Sequence, residues 1–341
     1  MRVKFIKLYS TLLLLVLSPL VYSQIAAGVE TPEEIVVVGR QPGPPLWRVY
    51  NADKVLWIFP YLETVPKDMI WESDKVAVVI AGSQESLSMP DISASASPLL
   101  LLNPINIFRG MRLAKRMIRN PDDATLQEVL PPELFARFAA LQTQYFPRND
   151  DFEEVRPLVA GVRMTALIQK KEGLVSGGDI MKTIRRLIRR NRDIERTEIE
   201  VKMDLEGSFS TLAERAENLM ASLSREQELA CFEDRVRRME SDLDDMKLRA
   251  NTWAQGYVDE FRDVPLVGDA ADACVNLIAG SSEQELVVEL QSRAEELWLA
   301  NAERALANNQ STFAILPIND LLSDDGLLSK LKAKGYEIRE P

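Results

Sequence analysis

The 341-residue chain contains no histidine. That absence excludes Ser-His-Asp and Cys-His catalysis, histidine-ligated zinc and an imidazole pH switch. Any chemistry falls to carboxylates, lysines, hydroxyls or the backbone. Basic residues are scarce relative to acids, with 41 Lys+Arg against 52 Asp+Glu and a net of −11. Such an acidic balance argues against nucleic-acid partners and general binding to anionic membranes. Beyond the N-terminus no stretch is apolar enough to span a bilayer. No 20–50-residue repeat is visible, and Ser176-Gly177-Gly178 lacks the following Lys-Ser/Thr of a phosphate loop.

What remains is ordinary globular material, 46% apolar and 27% charged. The first 23 residues read as an export signal. Arg2, Lys4 and Lys7 form the positive start, Leu12 to Val21 the apolar part, and Val21 and Ser23 precede an expected cut at Ser23-Gln24. An uncleaved anchor is the rival reading, but the strongly apolar part is only about 10 residues, short of the ~20 needed to span. Cutting there removes three basic residues and leaves 38 against 52, a net of −14. The expected location is the periplasm or the medium, with no stable membrane anchor after cleavage. Residues 24–45 form an extended leader, in which Glu34-Ile35-Val36-Val37-Val38-Gly39 is a β-prone run and Gln41 to Pro45 a stiff linker. An even cysteine pair in an exported chain, Cys231 and Cys274, suggests a disulfide, with two buried free thiols as the alternative.

From residue 46 the pattern is that of one α/β domain, a central mixed sheet surrounded by helices, with a helical section over about 105–308. Leu46 to Tyr50 and Val55 to Phe59 read as a hairpin whose second strand is covered on both faces. A short helix over 73–82 follows, then a loop at Ser93 to Pro98. Helices are expected from Pro131-Pro132 to Phe146, from Val155 to Lys171, and from a cap at Asp179 to Arg190. Thr197 to Met203 alternates as a half-buried strand of the central sheet. Leu229, Phe232, Val236, Met239, Leu243, Met246, Ala250 and Trp253 form an a/d seam, expected to pack on a helix over 283–308. Thr312 to Leu316 is an apolar strand, Gly326 to Lys334 a helix, and Tyr336 to Ile338 a last short strand.

Two of these strands end alike. Trp57-Ile58-Phe59 runs into Pro60-Tyr61-Leu62-Glu63, and Ala314-Ile315-Leu316 into Pro317-Ile318-Asn319-Asp320. Sites in helix-flanked sheets sit just past the carboxyl ends of strands, so the two acids can face one another there.

The chain resembles the TraB/PrgY/GumN family, which includes the Tiki-type metalloproteases. The likeness is carried by Gly43-Pro44-Pro45-Leu46-Trp47-Arg48-Val49, Val55-Leu56-Trp57-Ile58, Val65 to Trp71, Leu130 to Leu134, Thr312 to Ile315, Asp325 to Leu328 and Lys334-Gly335-Tyr336. The resemblance implies a Gly-x-x-His after the first strand, another after the last, and a Glu after the next strand, as proposed metal and catalytic residues. Here both glycines are proline, Pro60 and Pro317, and both histidines are acids, Glu63 and Asp320. Met89 stands at the Glu position, with Glu85 nearby. Proline fixes φ and removes a donor where glycine allows close approach to a ligand. Carboxylates suit calcium, magnesium or manganese where imidazole suits zinc.

The expectation is therefore a pseudoenzyme that binds an unknown protein or small molecule through the degenerate edge of Pro60, Glu63, Pro317, Asn319 and Asp320, with no cofactor. The alternative is a Ca, Mg or Mn site on Glu63 and Asp320, serving hydrolysis or structure. A two-carboxylate glycosidase, with Tyr61, Trp57 and Trp71 to stack sugars, is a third reading.

Overall fold

The computed structural model describes residues 43–96, 103–147, 152–205, 208–264, 274, 277 and 283–341. The expected signal and the leader up to residue 42 lie outside them. The chain enters through a hairpin, β1 (Trp47–Asn51) and β2 (Lys54–Tyr61). Next come β3 (Thr64–Pro66), α1 (Asp74–Ala81), β4 (Glu85–Leu87) and β5 (Asp91–Ala96). Four helices follow: α2 (Pro104–Ile118), α3 (Leu126–Val129), α4 (Pro132–Tyr145) and α5 (Pro157–Lys171). Then come β6 (Leu174–Ser176), α6 (Gly178–Arg190), β7 (Glu195–Thr197) and β8 (Glu200–Leu205). The second helical run is α7 (Phe209–Ser222), α8 (Arg225–Ser241), α9 (Leu243–Gln255), α10 (Val258–Asp263) and α11 (Gln284–Asn308). The chain closes with β9 (Ser311–Pro317), α12 (Ile318–Leu322), α13 (Leu327–Ala333) and β10 (Glu337–Arg339).

Six strands form the central sheet in the order β10-β1-β2-β9-β4-β7. β2, β9, β4 and β7 run parallel, and β1 is antiparallel to β2 and to β10. The fold is α/β with a mixed sheet surrounded by helices. β2 is apolar at nearly every position because both of its faces are covered. Leu56 and Ile58, with Ala314 and Leu316 of β9, pack with Trp298, Ala302 and Ala305 of α11. Phe59, Phe313 and Ile315 point the other way and pack with Val76, Ile80, Ile184 and Trp253. Each large side chain buried here stabilises the fold by about 1.5–3 kcal/mol. Ala302 and Ala305 of α11 are buried against the central sheet, and Ala294 packs instead with Val201 of β8.

A second core fills the helical region. Phe138 of α4 is ringed by Phe146, Phe152 and Phe232 at 5.5–6.2 Å between centroids. Ala160, Met164 and Ile168 of α5 pack with Phe232, Val236 and Met239 of α8.

Four local expectations are corrected. Ser93–Ala96 is not loop: it lies in β5, which pairs in parallel with β8 at Ile92↔Val201. Small Ser and Ala residues carry little strand preference, so a distant partner decides the conformation. The strand expected over 197–203 is two strands. β7 ends at Thr197 in the central sheet and β8 leaves it to join β5, so the segment carries two different pairings. Asp179 does not cap α6. Gly177 holds that position, and Asp179 sits in the first turn paired with Lys182 at 2.7 Å.

The a/d seam is the fourth correction. Its helix breaks at Asp242 (φ −101°, ψ 3°) into α8 and α9. Its apolar residues do not seat on α11. Phe232 through Met246 belong to the helical core with α4 and α5, and Ala250 and Trp253 to the core on the sheet face. The heptad spacing identifies an apolar stripe but not the surface that receives it. Here the stripe spans two cores in succession.

Cys231, buried in α8, forms a disulfide with Cys274, with the Cα atoms 4.5 Å apart. Closing a loop of 43 residues contributes about 4 kcal/mol by chain entropy. Cys274→Ser is therefore expected to lower the urea-unfolding free energy by about that amount, with reduction of the parent reproducing the loss. An unchanged midpoint would show that the link does not constrain the unfolded chain.

Candidate functional site

The two strands with matching ends lie side by side. β2 and β9 run parallel, with Ile58 opposite Ala314 and Tyr61 opposite Pro317. Their carboxyl ends therefore open on the same sheet edge, with Pro60-Tyr61-Leu62-Glu63 beside Pro317-Ile318-Asn319-Asp320.

Each turn is held by close backbone packing. Gly177 donates its N–H to the Glu63 carbonyl at 2.6 Å, and a Cβ there would stand 2.1 Å from the Leu62 carbonyl oxygen. Gly326 fits against the other turn in the same way, since its Cβ would stand 2.0 Å from the Asp320 carbonyl oxygen. Pro317 ends β9 at φ −55° and leads straight into α12. Pro60 lies beyond the last β1 pair, Trp47↔Ile58, where a missing N–H breaks no hairpin bond. Its carbonyl accepts the Trp253 indole N–H at 2.8 Å in a buried bond. Trp253 meets Phe59 edge-on at 5.9 Å and lies 5.7 Å from Trp71.

A cleft of about 240 Å³ opens at this edge. The first motif contributes Tyr61, Leu62, Glu63 and Thr64, and the second Pro317, Ile318 and Asn319. The facing wall is Gln169 of α5, Arg238 of α8, and Met246 and Arg249 of α9. Arg249 is only 6% exposed. Arg238 is nearly as buried and pairs with Asp234 at 2.7 Å. Glu63 and Asn319 are exposed at the rim. Burial, followed by the Glu63 charge, pushes the Tyr61 hydroxyl above its usual range, against the pull of Arg185.

Asp320 is half-buried in the first turn of α12 and does not line the cleft. Burial first, then the charges of Glu295 and Glu63, hold its carboxyl above the usual carboxylate range, and Lys330 opposes them. Met89 follows β4 at this same edge and packs half-buried with the Phe59 cluster. Glu85 lies at the far end of β4, level with Thr312 at the start of β9. It is 1% exposed and bonded to Thr197 at 2.5 Å, to Asn309 at 2.8 Å and to Arg304. It serves as a lock on the amino edge.

These residues do not fit the metal that the family resemblance implies. No group of three or more metal-binding side chains comes together among the described residues. A hard divalent cation takes six or more oxygens. Glu63, Asn319 and Gln169 supply few, and the facing wall carries Arg238 and Arg249, which cannot ligate a cation.

The geometry defines an α/β protein with a small, arginine-walled cleft between the ends of two parallel strands. The model of the TraB/PrgY/gumN family matches residues 45–340, and the chain belongs to this family. No curated protein and no solved structure matches it.

Sequence reasoning missed the facing wall. Arg238 and Arg249 are 11 residues apart, close to three full helical turns, and each directly precedes a seam residue, Met239 and Ala250. Their place beside the seam is the signal, since the 11-residue spacing crosses the break at Asp242 and fixes no common helix face. Trp253 was visible only as a seam position, since nothing local announces its bond to Pro60.

Two outcomes test this geometry. Asp320 has a folded pKa above its ordinary 3.8, so its ionised form opposes folding. That opposition is absent below pH 3.8 and grows as pH rises through the folded value. Asp320→Asn is therefore expected to melt higher than the parent at pH 7, the gap closing toward pH 3. A variant that melts lower at pH 7 would assign the ionised carboxylate a stabilising partner. Gly326→Ala, with its Cβ driven against backbone, is expected to cost about 1–3 kcal/mol in urea unfolding.

Proposed function

We propose that this TraB/PrgY/gumN-family protein is exported to the periplasm or the medium and acts there by binding rather than by turnover. It is a pseudoenzyme whose strand-edge cleft holds a protein or small-molecule partner. One observation carries the reading. Where the resemblance calls for two histidines, the edge holds Glu63 and Asp320 after Pro60 and Pro317, and the cleft beside them is walled by the buried Arg249 and the half-buried Arg238. Arginine stays protonated and neither ligates a metal nor takes up a proton at neutral pH. Prolines at both turn entries remove the N–H donors that an oxyanion or metal-bound ligand would use there. The N-terminal sequence supports export, as does the Cys231–Cys274 disulfide, a bond that persists in oxidising compartments. No helix among the described residues is long and apolar enough to cross a membrane.

A second reading, a Ca, Mg or Mn site on Glu63 and Asp320, draws support from the parallel pairing of β2 and β9, which sets the two acids past neighbouring strand ends.

Metal analysis and thermal shift of the purified protein separate the two. The binding reading predicts sub-stoichiometric metal, and no rise in melting temperature with calcium, magnesium or manganese. It also predicts no hydrolysis of peptide or ester substrates. One tightly held metal per chain, lost in Glu63→Ala, would overturn it in favour of the carboxylate site.

A further inference from the structure

The helix α2 has no buried residue. One side meets α7: Gly110 faces the Phe209 ring, with 3.6 Å between the ring and the place of a Cβ, and Arg116 pairs with Glu217. The other side is exposed over its first turns, and farther along Met111 and Lys115 line a cleft with Glu153, Glu154 and Arg163. Ile105, Ile107, Phe108 and Met111 are exposed by 62, 48, 63 and 61%. At 100° per residue, Ile107, Met111, Lys115 and Phe108 share an arc of about 100°, Arg112 borders it about 40° beyond Phe108, and Arg116 and Arg109 lie farther round toward α7. No acidic residue occurs from 104 to 118, and the four residues before the cap Asn103 are leucines. Arg109 and Lys115 have no ion-pair partner among the described residues, and Arg112 lies over the Phe108 ring at 6.0 Å.

We propose that this face of α2 is a membrane-surface docking site, which lies along a bilayer rich in anionic headgroups with Phe108, Ile107 and Met111 at the acyl boundary. The contact is peripheral and reversible. Apolar residues flanked by Lys and Arg on a convex helix are the pattern of an interfacial helix, whose cationic stems reach out to the headgroups. A protein partner would have to offer a groove to receive a convex helix. A symmetric second copy would set Arg109, Arg112 and Lys115 against their own counterparts. The net charge of −14 on the chain cut after Ser23 does not prevent docking. At physiological salt fields are screened beyond about 8 Å, so the headgroups respond to the basic helix in contact with them.

The test is co-sedimentation of the mature chain, cut after Ser23, with phosphatidylglycerol–phosphatidylcholine vesicles and with pure phosphatidylcholine vesicles. The expected result is sedimentation with the anionic vesicles that weakens as salt is added. Arg109→Gln, Arg112→Gln and Lys115→Gln together are expected to weaken partitioning on the order of a hundredfold, from about 1 kcal/mol per basic residue. Phe108→Ser with Met111→Ser should abolish it. All five positions are exposed, so urea midpoints should not move. Equal sedimentation with both vesicle types, or unchanged binding in both variants, would overturn the proposal. So would a dimer broken by Phe108→Ser in a protein that ignores vesicles, which would assign the face to a second copy.

Discussion

The architecture of the candidate site depends on one buried hydrogen bond, from the Trp253 indole to the Pro60 carbonyl. Pro60 belongs to the central strand β2, and Trp253 to the last turns of α9. Through this bond the sheet edge is tied to the α8–α9 spine, and the spine in turn is packed into the helical core by Phe232, Val236 and Met239. The cleft is the space left between edge and spine. A lone buried carbonyl would cost about 1–3 kcal/mol, which makes the indole a fixed requirement of this geometry.

The same arrangement explains how the scaffold accommodates different side chains at its strand ends. The sheet is stabilised by residues that never approach the edge, such as Leu56, Ile58, Ala314 and Trp298, and by the Glu85–Arg304 lock at the opposite end. Glycines at 177 and 326 hold the two turns through backbone contact, whatever side chain stands at positions 63 and 320. Proline at 60 and 317 is compatible with that support, because the hairpin ladder has already ended beside Pro60 and β9 ends at Pro317. Fold and site are separable here, and only the site departs from what the family resemblance implies.

Much of this was legible in the residues. The hairpin, the two-faced burial of β2, the apolar run of β9 and the family likeness all follow from strong local patterns. That each Pro-x-x-acid ending follows an apolar strand was also readable, but the parallel pairing of β2 with β9 was not, since neither segment states its neighbour. What escaped notice depends on distant partners. β5 is a strand only because β8 lies beside it, and its Ser and Ala residues carry no local sign of that. The seam on α8 and α9 declares a stripe without declaring its target, so α11 was assigned to it when α4, α5 and the sheet face receive it. Arg238 and Arg249 escaped because charged residues beside a seam usually face water, and their burial is set by tertiary packing.

The central claim is that the strand edge is an arginine-walled binding cleft and no longer a metal centre. A crystal of the protein grown or soaked in manganese, measured for anomalous scattering, tests it most directly. The account predicts no anomalous peak at the β2–β9 edge, with the Trp253–Pro60 bond intact and both guanidinium groups facing the cleft. A peak bridged by the Glu63 and Asp320 carboxylates would contradict it.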